Sequence, residues 1–367
     1  MAGAWRPFLL HSLIVFSSAW WAAYLPSHVP AGFINPYLSP ASSLAAALTK
    51  WDAHWYTYIA VQGYDERSVV FFPALVLLIR GLAVLGFDYA TAGLVGCNVF
   101  AFVSFVAMYA AFAVDFSPRL ATRALFVYAV MPTSFFLNSI YTEPLFISFA
   151  LACVFFARQT RWWPAGVCAA LATLTRNLGV CLFVGFAWEY WQSRGLSGMR
   201  ARSILALALA PCAALMFIAY NAISFGDPVA FVHSQQAWGR EFGWPVGNFV
   251  RNLEHMTALL PNTQAGIALD TFLVLTGFSG LCAATFSRQY AIPVSSLLVG
   301  WLWFLVPLFS TSPFLPLYSM SRFLLVIFPL YPVLARMPNA VFICFLFVNA
   351  LLLSLCTILF VNWYWVG

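Results

Sequence analysis

A chain of 367 residues with 63% apolar and only 8% charged residues cannot cover the surface of a water-soluble domain, where about a quarter of residues carry charge. Lipid removes that demand, and 37 Phe with 15 Trp suit lipid contact and the aromatic belts at headgroup level. The formal charge of +6 comes from Arg residues and the single Lys50 scattered along short connections, and no basic run interleaved with aromatics supports nucleic-acid binding.

In chain order, Arg6 and the apolar run Phe8–Leu25 have the outline of a signal peptide. The run is long enough to span a bilayer, however, and Trp20 and Trp21 occupy the place of a small-residue cleavage site, so a retained first helix is expected. Apolar runs then fall at 70–87, 91–115, 120–139, 143–157, 162–191, 203–225, 266–286, 291–311, 322–336 and 340–362. Counted with the first, they predict an all-α, polytopic transmembrane bundle of about ten or eleven spans, with 143–157 and 322–336 short. With no internal repeat or low-complexity tract, residues 1–367 read as a single membrane domain.

Two stretches break the apolar pattern and are long enough to hold a site. Residues 27–69 contain several prolines and an amphipathic juxtamembrane segment, Ser42–Tyr64; residues 226–264 carry a dense set of polar side chains. The Arg bias, from Arg119 and Arg123 to Arg288 and Arg336, marks one side as cytoplasmic and puts both stretches on the outer side. Between 27–69 and Arg119 the number of crossings must then be odd, yet two runs lie there. Either 70–87, with Arg80 inside it, fails to span, or the boundaries are merged. The thirty-residue run 162–191 is interrupted by Thr175-Arg176-Asn177, and a break at that depth lines a polar cavity or a protein-buried bend.

Ionisable residues at membrane depth cost several kcal/mol and are site candidates by default. Asp52, inside Trp51-Asp52-Ala53-His54-Trp55-Tyr56, is flanked by aromatics; partial desolvation suits a general base, and an interfacial anchor with an incidental acid is the plainer account. Glu143, in Tyr141-Thr142-Glu143-Pro144, is either a site carboxylate or an acid decorating a helix start. Arg176 and Arg322 match phosphate oxygens through their planar forks, or else snorkel and flank helices. His233, Gln235, Gln236, Trp238 and Arg240 form a polar run that contacts sugar or is merely solvated. No Ser/His/Asp set, Gly-rich phosphate loop or metal-ligand spacing competes, and the eight Cys lie singly in apolar stretches.

Taken in order, these blocks resemble a family. Trp51 to Tyr56 with Ile59-Ala60, Gly63-Tyr64 and Phe71-Phe72-Pro73; Pro132 to Glu143 with Phe146; Thr173 to Gly179; Gln236-Ala237-Trp238; and Tyr318 to Arg322 with Phe328-Pro329 are similar to the GPI mannosyltransferase 2 (phosphatidylinositol glycan class V) family. The resemblance runs over nearly the whole chain. It implies a GT-C type fold and a mannosyltransferase using polyprenyl-phosphate mannose as donor; the lack of a metal-ligand cluster in the sequence predicts that it works without metal or cofactor. A mannosylated or inositol-containing glycolipid, or a protein-linked glycan, would be the acceptor on the outer face. Asp52 corresponds to the catalytic base. Arg176 and Arg322 would hold the donor phosphate, and Trp51, His54, Trp55, Tyr141, Glu143, His233, Gln236 and Trp238 would contact substrate. The partners are then donor, acceptor and membrane lipids, with room for a small membrane subunit. The near absence of Lys reads like a high-GC bacterial genome, hence an inner (plasma) membrane rather than the endoplasmic reticulum. A transporter or flippase for a lipid-linked saccharide would use the same intramembrane Arg residues but should show paired broken helices and repeat halves. A non-catalytic membrane subunit is the third reading.

Overall fold

Lipid cannot satisfy a free backbone N–H or C=O, so apolar chain at membrane depth folds as helix, and irregular backbone survives only where protein surrounds it. The structure, a computed structural model, describes residues 2–27, 44–195, 201–257, 264–313 and 315–366. Pro30, Pro36 and Pro40 of the first outer stretch, residues 258–263 of the second, and Arg200 lie outside the described residues. Among the described residues helices dominate, and the strand content is one two-residue pairing in which Glu241 faces Thr311 and Phe242 faces Ser310.

Among the described residues, four helices are long and apolar enough to cross a bilayer: Tyr89–Asp115, Ala201–Phe225, Gln264–Phe286 and Asn339–Val361. The start of Tyr89–Asp115 is fixed by Asp88, whose carboxylate accepts from the N–H groups of Ala90 and Thr91. Ser117 and Pro118 do the same for Pro118–Val130. The first helix, Ala2–Ala22, packs on the last, Asn339–Val361, and Asn362 reaches back to the Ala22 carbonyl. Trp162–Thr175 lies against Ala201–Phe225 so closely that a Cβ on Gly166 would meet the Ala206 carbonyl oxygen at 2.2 Å.

The remaining apolar runs fold as shorter or broken helices. Run 70–87 becomes Pro73–Ala83, about 16 Å of helix at 1.5 Å per residue against a hydrocarbon core of about 30 Å. Arg80, though exposed, is tied to the preceding helix: its guanidinium donates to the carbonyls of Ala60 (2.9 Å) and Ile59 (3.1 Å). One crossing, Tyr89–Asp115, therefore joins the first outer stretch to Arg119, which removes the parity conflict. Run 120–139 is helical only to Val130, and Met131–Thr142 continues as turns and a single 3-10 segment, Ser134–Leu137, entirely buried. Its polar groups are met from neighbouring elements: Asn98 donates to the Asn138 carbonyl, and His11 bridges the Ala129 carbonyl and the Asn138 side chain.

Run 162–191 divides at the expected place. Trp162–Thr175 ends, Arg176 is extended (φ −153°, ψ 147°), a 3-10 turn runs over Asn177–Cys181, and Leu182–Arg194 follows. The turn folds back on the preceding helix, where a Cβ on Gly179 would sit 2.4 Å from backbone atoms of Ala172 and Thr173, so only glycine fits. The indole of Trp303 donates to the Leu178 carbonyl that the break leaves free. Run 322–336 is likewise two short helices, Met320–Leu324 and Leu330–Leu334. The amphipathic stretch Ser42–Tyr64 is divided as well, into Leu44–Ala47 and Asp52–Gln62.

Candidate active site

Asp52 is the first residue of its helix because the chain turns sharply just before it. Trp51 adopts the left-handed conformation (φ 55°), a costly state for a bulky residue that persists only where surroundings over-determine it. Trp51 is held between Trp363 and Trp365, at 5.6 and 5.5 Å between ring centroids. A single buried phenol ties the turn from below: Tyr141 Oη accepts from the Asp52 N–H (3.2 Å) and donates to the Lys50 carbonyl (3.3 Å).

Glu143 opens the helix Glu143–Arg158 and is fully buried. Its Oε1 accepts from Arg176 Nη1 and from Arg322 Nε, both at 2.7 Å. Arg322 in turn donates through Nη1 to Asp52 Oδ2 at 2.7 Å. Asp52, Arg322, Glu143 and Arg176, scattered over 270 residues of chain, thus form one alternating series of charges in which two carboxylates neutralise two guanidiniums. Burial at membrane depth is tolerable because each charge has an opposite neighbour and a short hydrogen bond. The guanidiniums also lie over aromatic faces, Arg322 on Tyr141 (4.9 Å) and Arg176 on Phe323 (4.9 Å).

The backbone around Arg322 is pinned on both sides. Asp270, buried in Gln264–Phe286, accepts from the Ser321 N–H (2.7 Å), and Thr133 donates to the Ser321 carbonyl (3.0 Å). An acid inside an apolar run was a legible signal, and the sequence reading passed over it.

This series forms one wall of a cavity of about 300 Å³. Asp52, Arg176 and Arg322 line it, facing Trp238, Arg240 and Tyr318 from the second outer stretch and the 310–321 segment. Trp238 is held by donation to the Arg67 carbonyl (3.1 Å) and by edge contacts with Trp55 and Phe71.

The other expected substrate contacts lie elsewhere. Trp55 backs Trp238 and Trp51 is wedged among the C-terminal indoles, so neither lines the cavity. His54, two residues from Asp52, points elsewhere, as helical periodicity requires; it packs against Trp363. Burial and nearby Lys50 push its imidazole down to about 4, while burial alone pushes Lys50 to about 8. Tyr141 and Glu143 stand behind the lining, acting on Asp52 and the arginines. His233 is exposed and pairs with Asp227 (2.7 Å), a contact that holds the Asp227 carboxyl below its usual range. With Gln236 it lines a second, open cavity of about 400 Å³ that shares Arg240 with the first.

The geometry therefore gathers an acid, buried arginines and an indole around a sugar-sized space. A family model for mannosyltransferase (PIG-V) matches residues 8–223. The chain belongs to the PIG-V mannosyltransferase family. Among curated relatives in that family, GPI alpha-1,6-mannosyltransferase 2 of Rattus norvegicus is 28% identical over 181 residues, 44% of this chain and 37% of that protein. GPI mannosyltransferase 2 of Schizosaccharomyces pombe is 27% identical over 143 residues, 37% of this chain and 31% of that protein. The matched segments span only about a third of these relatives' length. The PIG-V match takes in Asp52, Glu143 and Arg176; Trp238, Arg240, Tyr318 and Arg322 lie beyond it and are joined to the site by the fold.

Proposed function

We propose that this chain is a membrane mannosyltransferase of GT-C type. It moves mannose from a polyprenyl-phosphate donor to a hydroxyl of a glycolipid acceptor at the outer face, with inversion and with Asp52 as general base. One observation carries the reading: a carboxylate and two arginines, joined by short hydrogen bonds, share the wall of one cavity. The names of the relatives support mannose as the sugar. We place the protein in a plasma membrane, with the cavity outward.

In the proposed reaction, Asp52 takes the proton of the acceptor hydroxyl as its oxygen forms a bond to the anomeric carbon. The bond from that carbon to the phosphate oxygen breaks, and the electron pair leaves with polyprenyl phosphate. The phosphate's charge grows from about one to about two negative charges as it departs. Protonation of Asp52 cancels the charge that Arg322 faces in the ground state. The positive charge of Arg322 is thereby released toward the leaving phosphate at the moment that group needs it, which is stabilisation of the transition state rather than of bound donor. Arg176 stays paired with Glu143 and offers its remaining N–H groups to phosphate oxygens. Trp238 supplies an indole face for stacking on the sugar.

Purified protein in vesicles, given polyprenyl phosphate carrying radiolabelled mannose and an extract of membrane lipids, should move label from the donor into a second lipid species. Label that crosses the bilayer still attached to its donor would make the protein a flippase instead. Label that does neither would overturn both readings.

A further inference from the structure

Charge balance in the cavity singles out Arg240, one member of the polar run 233–240 that the sequence left open between sugar contact and solvation. The charges of Arg176 and Arg322 are taken up by Glu143 and Asp52. Arg240 lines the same cavity and, among the described residues, forms no ion pair. Its guanidinium lies over the Tyr318 ring, 4.2 Å from the centroid, so it is held in place by a partner that carries no opposing charge. Glu241 is next in sequence, but its side chain lies on the adjoining cavity and makes no ion pair with Arg240. The cavity therefore carries one surplus positive charge, and that charge belongs to Arg240.

Arg240 also occupies a particular place. It is common to the wall of the deep cavity with Asp52 and to that of the second cavity, which Val232, Phe242, Val306 and Phe309 line together with polar residues. Phe242 and its neighbours Trp244 and Val246 are largely exposed, at 70%, 70% and 77%. The helix Pro245–Thr257 that follows turns its asparagines inward, Asn248 to the Leu308 carbonyl and Asn252 to Thr271, and leaves Val246, Val250 and Leu253 outward. A helix that exposes Val246, Val250 and Leu253 beside the charged Arg251 and Glu254 suits the lipid interface, and Phe242, just before it, lines the second cavity.

We propose that Arg240 binds the phosphodiester of the donor, at the neck between the two cavities, with the sugar directed toward Asp52 and the lipid chain toward Phe242 and Phe309. This rests on the donor class proposed above. A sugar phosphodiester carries one negative charge, equal to the surplus in the cavity, and a planar guanidinium braced on a ring offers it two parallel N–H groups. The acceptor of the relatives' class is also a lipid phosphodiester, and the test separates the two sources.

The experiment is binding of radiolabelled polyprenyl-phosphate mannose to the full chain in nanodiscs of phosphatidylcholine, with phosphatidylinositol as competitor. Arg240→Gln should weaken donor binding at least about tenfold, because one charge-assisted contact is worth about a factor of ten or more, and Arg240→Lys should recover only part of it, since an ammonium keeps the charge without the two parallel N–H groups. Phosphatidylinositol should leave donor binding to the wild type unchanged. Equal donor affinity in the wild type and Arg240→Gln would overturn the assignment, as would displacement of the donor by phosphatidylinositol. A wild type that binds no donor at all would remove the donor reading itself, and this proposal with it.

Discussion

Glu143 carries more of the site than its position before a proline suggests. One of its oxygens accepts from two arginines, and the side chain is fully buried. Removing one member of a buried charged set leaves its partners uncompensated, at about 3–5 kcal/mol. Glu143→Gln should therefore lower unfolding stability in detergent by about 3 kcal/mol, measured by denaturant titration; an unchanged midpoint would mean that the arginines find other anions. Asp52, Glu143, Arg176 and Arg322 were legible in sequence because charge among apolar residues is costly and so stands out. Trp51, His54 and Trp55 were expected to meet the sugar or orient Asp52, but Trp51 and His54 pack on the C-terminal indoles and Trp55 on Trp238, which neighbours along the chain alone could not show. Arg240 was hidden for the opposite reason. A charge in a polar loop costs nothing by itself, and only the fold shows that it enters a cavity.

At the scale of elements, the breaks matter more than the spans. Arg176 reaches Glu143 because Trp162–Thr175 stops one residue earlier and the chain doubles back over it. That path depends on Gly179, whose added Cβ would lie 2.4 Å from the backbone of Ala172 and Thr173. Gly179→Ala should lower both donor binding and thermal stability, because backbone cannot yield as a flexible side chain can. Gly81→Ala is the matched control: a Cβ there meets nothing within 4 Å, and alanine in a helix should be neutral or stabilising by about 0.5–1 kcal/mol. Similar losses in the two variants would contradict the fold-back. Hydropathy located the apolar runs and flagged the interruption at Thr175-Arg176-Asn177. It could not show that 70–87 yields an 11-residue helix or that 131–142 leaves the helix altogether. Apolarity records burial, and buried turn and buried helix look alike by that measure.

Across the whole molecule, charges segregate. Arg123 bonds to Asn339 and the Met337 carbonyl, Arg158 pairs with Asp115 and Glu189, and Arg336 lies over Phe116 and Tyr290. These belong to the end where Tyr89–Asp115 finishes and Asn339–Val361 begins, while the cavity lies near Trp363 and Trp365 at the other end. By the positive-inside bias we place the first end in the cytoplasm, which turns the cavity outward, where lipid-linked mannose would be met. The membrane class followed from composition, and the helical architecture from the lengths of the apolar runs. The closing of residues 52, 176, 240 and 322 around one space, with Glu143 behind them, did not, since it depends on contacts among elements far apart in sequence. The account stands most directly on turnover by Asp52→Asn, measured with purified protein, polyprenyl-phosphate mannose and lipid acceptor. Arg322 keeps Glu143 as a partner in that variant, so folding and donor binding should persist, while transfer should fall by about 10²–10⁴, the usual contribution of a positioned base. Transfer at the wild-type rate would contradict the assignment of Asp52 and, with it, the proposed reaction.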